Sequence, residues 1–383
     1  MKRRHFLAVS GGIIAIGGAT FYLLSDKKNL TRADIKQVDT LKVSLKPDER
    51  AMLHLASLAP SGHNTQPWFI KYVEPYHWII GNDSTKWLPA VDPTQRETIL
   101  SIGAFLQNLE YAANNLGYAC AVNLLAKTNQ DEHVADVKLT KLSGNRPPQY
   151  MESNGIPNIG KNENIEKRRT IRSNYLNTPL NRDDISYLID GEADCIQFIP
   201  NAAKEYKIIN EQTIEANKIQ AYRDAAQSEL GDWIRFSSKN AEKYRDGLTT
   251  ASMEIHGMPA WVLRNFYDKS KVMTVDFRDK TIETTVKQVS QSAGWLLITN
   301  KGNTTWELLE TGRQLQRLWL SIRKKNIAIH PMTQIIEEAA TNQTLNQSIG
   351  VSDVVQFILR TGYVKKYPQP VTLRRGVDRF VRT

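Results

Sequence analysis

One seven-residue pattern occurs twice in this chain, far apart and in the same setting. Gly103-x-x-Leu106-Gln107-x-Leu109 lies in one long amphipathic segment and Gly312-x-x-Leu315-Gln316-x-Leu318 in another. Each segment reaches a residue suited to a left-handed helix end, Gly117 or Asn326, fourteen residues after its glycine. An apolar strand pattern precedes each helix and another follows it. This matched order predicts an internal duplication, with two similar halves built from one chain. Two unrelated leucine-rich helices are the other reading. With 383 residues and 41% apolar composition, the chain can bury the core of one large or two ordinary domains, and it is not a disordered protein.

The N-terminal residues read differently from the rest. Lys2-Arg3-Arg4-His5-Phe6-Leu7 precedes a weakly hydrophobic, glycine-containing stretch from Ala8 to about Leu24. Arg3-Arg4-x-Phe6-Leu7 resembles a twin-arginine export signal, and a short membrane anchor is compatible with the same residues. Leu7 to Leu24 is 18 residues, about 27 Å as a helix at roughly 1.5 Å per residue, just short of the usual span. Residues 1–25 are therefore expected to be a signal or anchor and residues 26–46 a polar tether. The body is expected outside the cytoplasm, either periplasmic or held on the outer face of the inner membrane.

Residues 47–150 are expected to form the first half. A short helix opens at Pro47-Asp48-Glu49-Arg50, a hairpin covers Trp68–Val73 and His77–Ile80, a long helix follows Asp92-Pro93-Thr94, and a strand runs over Tyr118–Ala126. Between the first helix and the hairpin lies Ala59-Pro60-Ser61-Gly62-His63-Asn64-Thr65-Gln66-Pro67-Trp68. Two prolines fix φ at its ends, Gly62 is expected to permit a tight or left-handed turn, and Trp68 anchors the far end in the core. Ser61, His63, Asn64 and Gln66 offer the hydroxyl, imidazole and amide groups that would read a planar heterocycle. On composition alone an ordinary turn before a strand fits as well.

Residues 160–383 are expected to form the second half. Arg168-Arg169-Thr170-Ile171-Arg172 packs three arginines and a hydroxyl into five positions. On a helix, Arg168 and Arg172 would share a face and converge on one anion; a solvated basic face is the alternative. Residues 205–277 are mainly helical in pattern, either a cover over a site or plain packing. Strands are expected at Gly294–Thr299, at Ile327 running into the turn Pro331-Met332-Thr333-Gln334, and at Val355–Val364, with a long helix over Trp306–Lys325. The basic pair Arg374-Arg375 follows the last strand.

The loop resembles the Pro-Ser-x-x-Asn-x-Gln-Pro-Trp signature of the FMN-dependent nitroreductase superfamily, and with His63 it is most similar to the exported, internally duplicated Acg-like branch. Arg168-Arg169-Thr170-x-Arg172 resembles the motif with which these enzymes hold the FMN phosphate and ribityl chain. Arg360-Thr-Gly362-Tyr363 and the Arg374/Arg375 pair resemble their C-terminal strand and the basic residues that close on the phosphate. The resemblance implies an α+β nitroreductase-like fold of mixed sheets flanked by helices, with two halves forming a single-chain pseudo-dimer. It implies one FMN site between them, because the loop occurs only in the first half and the arginines only in the second. The implied cofactor-binding residues are Ser61, His63, Asn64, Gln66, Arg168, Arg169, Thr170, Arg172, Pro331, Met332, Thr333, Arg374 and Arg375. The chain departs from the pattern at His63, where many relatives carry a small residue, and at Pro331–Gln334, which replaces a glycine-containing turn.

No side-chain nucleophile or acid pair is required by this reading, since flavin N5 carries the chemistry. The implied acceptors are nitroaromatics, quinones or similar small molecules, with the electron donor, NAD(P)H or another, left open. An FMN-binding or sequestering protein with little turnover and a membrane-tethered non-catalytic module are the alternatives. The net charge of +10 is spread among 40 acidic residues without a long basic run, so no nucleic-acid partner is expected. His54, His63, His256 and His330 match no metal-ligand spacing. Cys120 and Cys195 form no cluster, and one bridge between them stays open.

Overall fold

The computed structural model describes residues 25–35, 44–142, 162–190 and 194–383. The expected signal or anchor lies, except for Ser25, outside the described residues. The first half opens with α1 (Pro47–Ala56), which carries proline in its first turn with Asp48 and Glu49 beside it and buries Met52, Leu53 and Leu55. Strands β1 (Trp68–Glu74) and β2 (His77–Asn82) form the hairpin, and α2 (Arg96–Asn115) follows. Fifteen of the twenty residues of α2 are buried, which makes it a central helix rather than a surface one. Then come β3 (Tyr118–Leu124) and β4 (His133–Lys141), the latter not foreseen from sequence.

The second half contains α3 (Asn162–Lys167), α4 (Arg182–Ile189), β5 (Ile196–Pro200), six helices α5–α10 between residues 204 and 289, β6 (Gly294–Asn300), α11 (Thr305–Ser321), β7 (Ile327–Pro331), α12 (Gln334–Glu337), α13 (Ala339–Ile349) and β8 (Val354–Tyr363). Its sheet has the order β7-β8-β6-β5, and the first sheet has β3-β4-β2-β1, all neighbours antiparallel. Each strand of one sheet thus has a counterpart at the same place in the other, and α2 and α11 occupy the same position between the second and third strands. Both helical segments also end alike, Gly117 having φ +79° and Asn326 φ +53°. The halves differ at one turn. Two residues join β1 to β2, whereas residues 201–293 join β5 to β6, so the helical stretch expected over 205–277 is an insertion into a hairpin.

The halves meet where α2 crosses α11, and the repeated glycines are the crossing point. A Cβ on Gly103 would stand 2.1 Å from the Leu309 carbonyl oxygen, and one on Gly312 would stand 2.0 Å from that of Leu100. Leu309 precedes Gly312 by three residues as Leu100 precedes Gly103, so the contact is reciprocal. Gln316 Nε2 donates to Asn108 Oδ1 (2.7 Å), Arg317 donates to Gln107 (3.1 Å), and Arg313 pairs with Glu110 across the same seam. One apolar cluster runs through both halves, from Met52 and Trp68 to Leu308, Trp319 and Phe380.

Two long crossings position the site. The C-terminal tail leaves the second half and adds β9 (Val381–Arg382) in parallel to β1, with Ile70 opposite Val381. At the other end, residues 25–35, expected to be a patternless tether, are docked on the insertion. The Asp26 carboxylate accepts from Ser238 N and Oγ (2.5 and 2.6 Å), Asn29 accepts from Thr250 (2.6 Å), and Leu30 is buried with Ala241 and Leu373. This corrects the tether expectation for those residues: the hydrogen bonds that fix them come from partners more than two hundred residues away. Both cysteines are free thiols.

Candidate functional site

The loop between α1 and β1 carries left-handed backbone at His63 (φ +46°), Asn64 (φ +57°) and Gln66 (φ +56°). Gly62 is not itself left-handed; it opens a tight 3-10 turn over Gly62–Asn64, the first of the two forms expected. Its missing side chain also serves a close approach, since a Cβ would lie 3.1 Å from both Glu97 Oε2 and the Leu88 side chain. Three non-glycine residues at positive φ are costly and persist only when the surroundings fix them. The surroundings do so here. Asn64 donates to the carbonyls of Gly247 (3.0 Å) and Leu373 (3.2 Å) and accepts from Arg374 (2.6 Å). Gln66 donates to Arg245 O (3.0 Å) and accepts from Arg375 N (2.9 Å), while Ser61 Oγ accepts from Gln66 N (3.0 Å). Trp68 packs on Phe105 with ring centroids 5.1 Å apart and is fully buried.

The basic pair therefore closes on the loop itself. Arg374 donates to the carbonyls of Leu58 (3.2 Å) and Ala59 (2.9 Å) as well as to Asn64, and Arg375 donates to the Gln66 and Trp68 carbonyls. Helix α3 stops at Lys167, so Arg168–Arg172 is irregular, and the shared helical face expected for Arg168 and Arg172 is not formed. Arg168 reaches Leu58 O (3.0 Å) and stacks over Trp319, with 4.8 Å to the ring centroid. Arg169 pairs with Glu254 of the insertion (3.1 Å) and donates to Gln369 O (2.6 Å). Thr170 is half-buried. Arg172 faces Glu254 and Tyr175 as well as His63, His330, Arg169 and Arg360, and its Nη1 is buried without a hydrogen-bond partner.

The turn after β7 contributes less directly. Met332 donates its N–H to Ile358 O (2.9 Å) and buries its side chain in the core under the insertion, so neither group is available to a ligand. Pro331 ends β7, and Thr333 donates to Glu337 (2.7 Å). The preceding His330 is buried, with Nδ1 unpartnered.

Burial dominates the electrostatics at this junction, with Glu97 and Glu254 acting against the arginine charges. Burial lowers His63 to about 4, with Glu97 opposing and Arg172 reinforcing the shift; burial together with Arg172 and Arg360 drives His330 well below its ordinary value. Both imidazoles are neutral at neutral pH, each offering one donor and one acceptor. Burial and the Arg32 charge lower Arg168 to about 9, and burial with Arg168 lowers Arg374 strongly. Among the described residues no carboxylate lies within ion-pair distance of Arg168, Arg172 or Arg374. Buried guanidinium groups in this state favour an anion.

Sequence reasoning missed Glu97, Glu337 and Glu254, and read Asp92 only as the start of a helix. Glu97, in the first turn of α2, lies beside Glu337 of α12, and burial together with the Glu97 charge raises Glu337 to about 8. Asp92 beside them is raised to about 7 by burial and Glu97. Glu254 binds both Arg169 and Ser173 from the insertion. No local motif marks Glu97, Glu337 or Glu254. Arg360 is a structural support: fully buried, it donates to Arg172 O (2.7 Å) and lies over Tyr175, 4.3 Å from the ring centroid.

No protein-family model matches the chain. Over 139 residues, 36% of its length, it is 32% identical to Rv3131 of Mycobacterium tuberculosis strain H37Rv, which is named provisionally as an NAD(P)H nitroreductase. The similarity is to nitroreductases. The match spans 37% of that relative. PigM of a Serratia species, named in the same provisional way, is 20% identical over 347 residues, covering 86% of this chain and 92% of PigM. The solved structure of an Anabaena variabilis protein named provisionally as a nitroreductase covers 85% of this chain and 90% of its own, with a TM-score of 0.41 and 10% identity. The FMN-dependent nitroreductase NfnB of Mycobacterium smegmatis, solved with NADPH, covers 58% and 96%, with a TM-score of 0.35 and 13% identity.

Proposed function

We propose that this protein is an FMN-dependent oxidoreductase of the nitroreductase type, in its internally duplicated Acg-like branch, which binds one FMN between its halves and reduces nitroaromatic, quinone or similar small acceptors. The observation that carries the reading is the set of buried arginines with no carboxylate at ion-pair distance among the described residues, Arg168, Arg172 and Arg374, gathered beside the left-handed loop at the junction of the halves. The names of the relatives agree with it, and they suggest NAD(P)H as electron donor.

The residues present fit such a cofactor. Arg172 has a buried donor to give a phosphate, with Arg169 and Arg360 beside it, and Arg168 and Arg374 form a second buried basic pair against the loop. The neutral His63 and His330 each have an unpartnered Nδ1 that suits a heterocycle with both donors and acceptors. Residues 245–247 of the insertion hold Asn64 and Gln66, which keeps the loop in one shape and shields it from water. Bound FMN would supply hydride transfer from N5. Asn64, Gln66, Arg374 and Arg375 would act by fixing the loop, with His63 and Arg172 nearer the ligand.

The test is the visible spectrum of the purified full chain, identification of any chromophore released by acid, and addition of NAD(P)H without air. FMN near one equivalent that bleaches on adding the nicotinamide supports the oxidoreductase. Bound FMN that does not bleach would replace it with a sequestering role. A colourless protein that takes up no added FMN would leave a non-catalytic module. Export is part of the same proposal: residues 1–25 direct the protein to the periplasmic side, and fractionation that finds it only in the cytosol would refute this.

A further inference from the structure

We propose that helix α8 (Gly257–Phe266), with the turn that follows it, rests on the surface of a lipid bilayer, beside the point where the N-terminal apolar segment joins the body. Among the described residues no helix is long and apolar enough to cross a membrane. Helix α8 has a different character. Ala260, Leu263 and Arg264 face inward, while Met258, Val262 and Phe266 follow at helical spacing along the outer side. Met258 is 65% and Phe266 52% exposed, and exposed Tyr267 follows at the end of the helix. Single exposed apolar residues need no explanation, but several on one side of one short stretch mark an interaction surface.

The chain itself indicates what covers this surface. Trp261 Nε1 donates to Ser25 Oγ (2.9 Å), Asp26 N donates to Asn265 Oδ1 (2.8 Å), and Arg264 pairs with Asp26 (3.6 Å). Ser25 is the residue immediately after the 18-residue apolar run Leu7–Leu24. Consecutive Cα atoms are about 3.8 Å apart, so a segment inserted in a bilayer up to Leu24 brings the headgroup region to α8 itself. No linker separates the two. At that depth the apolar outer side of α8 would enter the interface, where Trp and Tyr are favoured, and exposed Lys271 would reach the headgroups. The occupant is therefore a bilayer rather than a second copy of the chain. This rests on the anchor reading of residues 7–24 and is independent of the flavin.

The test uses the full chain reconstituted in phosphatidylethanolamine–phosphatidylglycerol vesicles that contain a lipid bearing a photoreactive diazirine near its headgroup. After irradiation, adducts are mapped by peptide mass. Adducts are expected in 257–275 as well as in 7–24, with none around exposed Val73 and Leu125 on the first sheet. They should disappear from 257–275 in the Met258→Asp/Phe266→Asp variant while those in 7–24 remain. Labelling of 7–24 with 257–275 blank in the unaltered chain would overturn the docking and keep the anchor. No labelling anywhere would overturn both. Protein–protein cross-links that map to 257–275 and rise with concentration would assign the surface to a second copy instead.

Discussion

Replacing Gly103 by alanine tests the crossing on which the two halves meet. The new Cβ would stand 2.1 Å from the Leu309 carbonyl oxygen, and contacts below 3.0 Å are essentially never seen, so the helices must part by most of an ångström. The obstacle is backbone and cannot rotate aside. A gap of roughly 0.5–1 Å forfeits a quarter to a half of each dispersion contact along the seam. Overpacking at this upper end costs about 3 kcal/mol, offset by about 1 kcal/mol from the better helix propensity of alanine, for a net loss near 2 kcal/mol. Gly312→Ala, at 2.0 Å from Leu100 O, should cost the same because the contact is reciprocal. One separation of the helices relieves both overlaps, so the double variant should lose about 2–3 kcal/mol, well short of the sum of about 4. Urea unfolding followed by tryptophan fluorescence reads this as a lower midpoint at unchanged slope. A neutral single variant, unequal costs at the two glycines, or full additivity would refute the reciprocal crossing.

Three further outcomes follow from the site. Arg172→Met should weaken FMN binding about 10- to 100-fold, the loss of one charge-assisted donor, while stabilising the apoprotein by up to about 1 kcal/mol; flavin fluorescence titration and apoprotein melting measure the two. Asn64→Ala removes three buried hydrogen bonds, one of them from Arg374, at a left-handed residue, and should cost about 3 kcal/mol or more in urea unfolding. The pH dependence has two opposed parts. His63 binds its proton near 4 when folded and near 6.5 when unfolded, so the unfolded state holds more protons between those values and stability falls on acidification through that window. Glu337, raised to about 8, does the reverse: its contribution is complete below about 4.5 and is lost as the pH rises to 8. His63→Gln should flatten the acid side and Glu337→Gln the alkaline side in chemical denaturation from pH 4 to 8; unchanged profiles would remove these groups from the balance.

Much of this was legible locally. The repeated glycine pattern placed α2 and α11, and the proline-bounded loop placed its own ends, because helical spacing and proline geometry act within a few residues. Strand β4 carries the alternation of a half-buried strand, Val137 and Leu139 against Asp136, Lys138 and Thr140, and that local signal went unread; β5 was missed because it is only five residues long and its hairpin partner β6 lies across the insertion. The arginine segment reads as a helical face, yet α3 stops before it, with Arg168 drawn to Leu58 O and Arg169 to Gln369 O. Residues 25–35 read as a tether because nothing in them anticipates Ser238, Thr250 or Asn265 as partners.

The sequence alone pointed to an α+β chain with a repeated pattern, and offered the loop and the basic residues as candidates for a site. Whether those residues face a ligand or one another was decided by tertiary structure. Asn64 and Arg374 are 310 residues apart, as their 2.6 Å hydrogen bond records, and Gln66 meets Arg375 across 309. They meet because the tail of one half pairs as a strand with the edge of the other, which uses up the loop's amides and leaves Arg172, His63 and His330 with free polar atoms. Local pattern fixes which groups a segment can offer; only the long-range closure of the chain, which must satisfy every buried donor it can, determines which of them remain to bind something else.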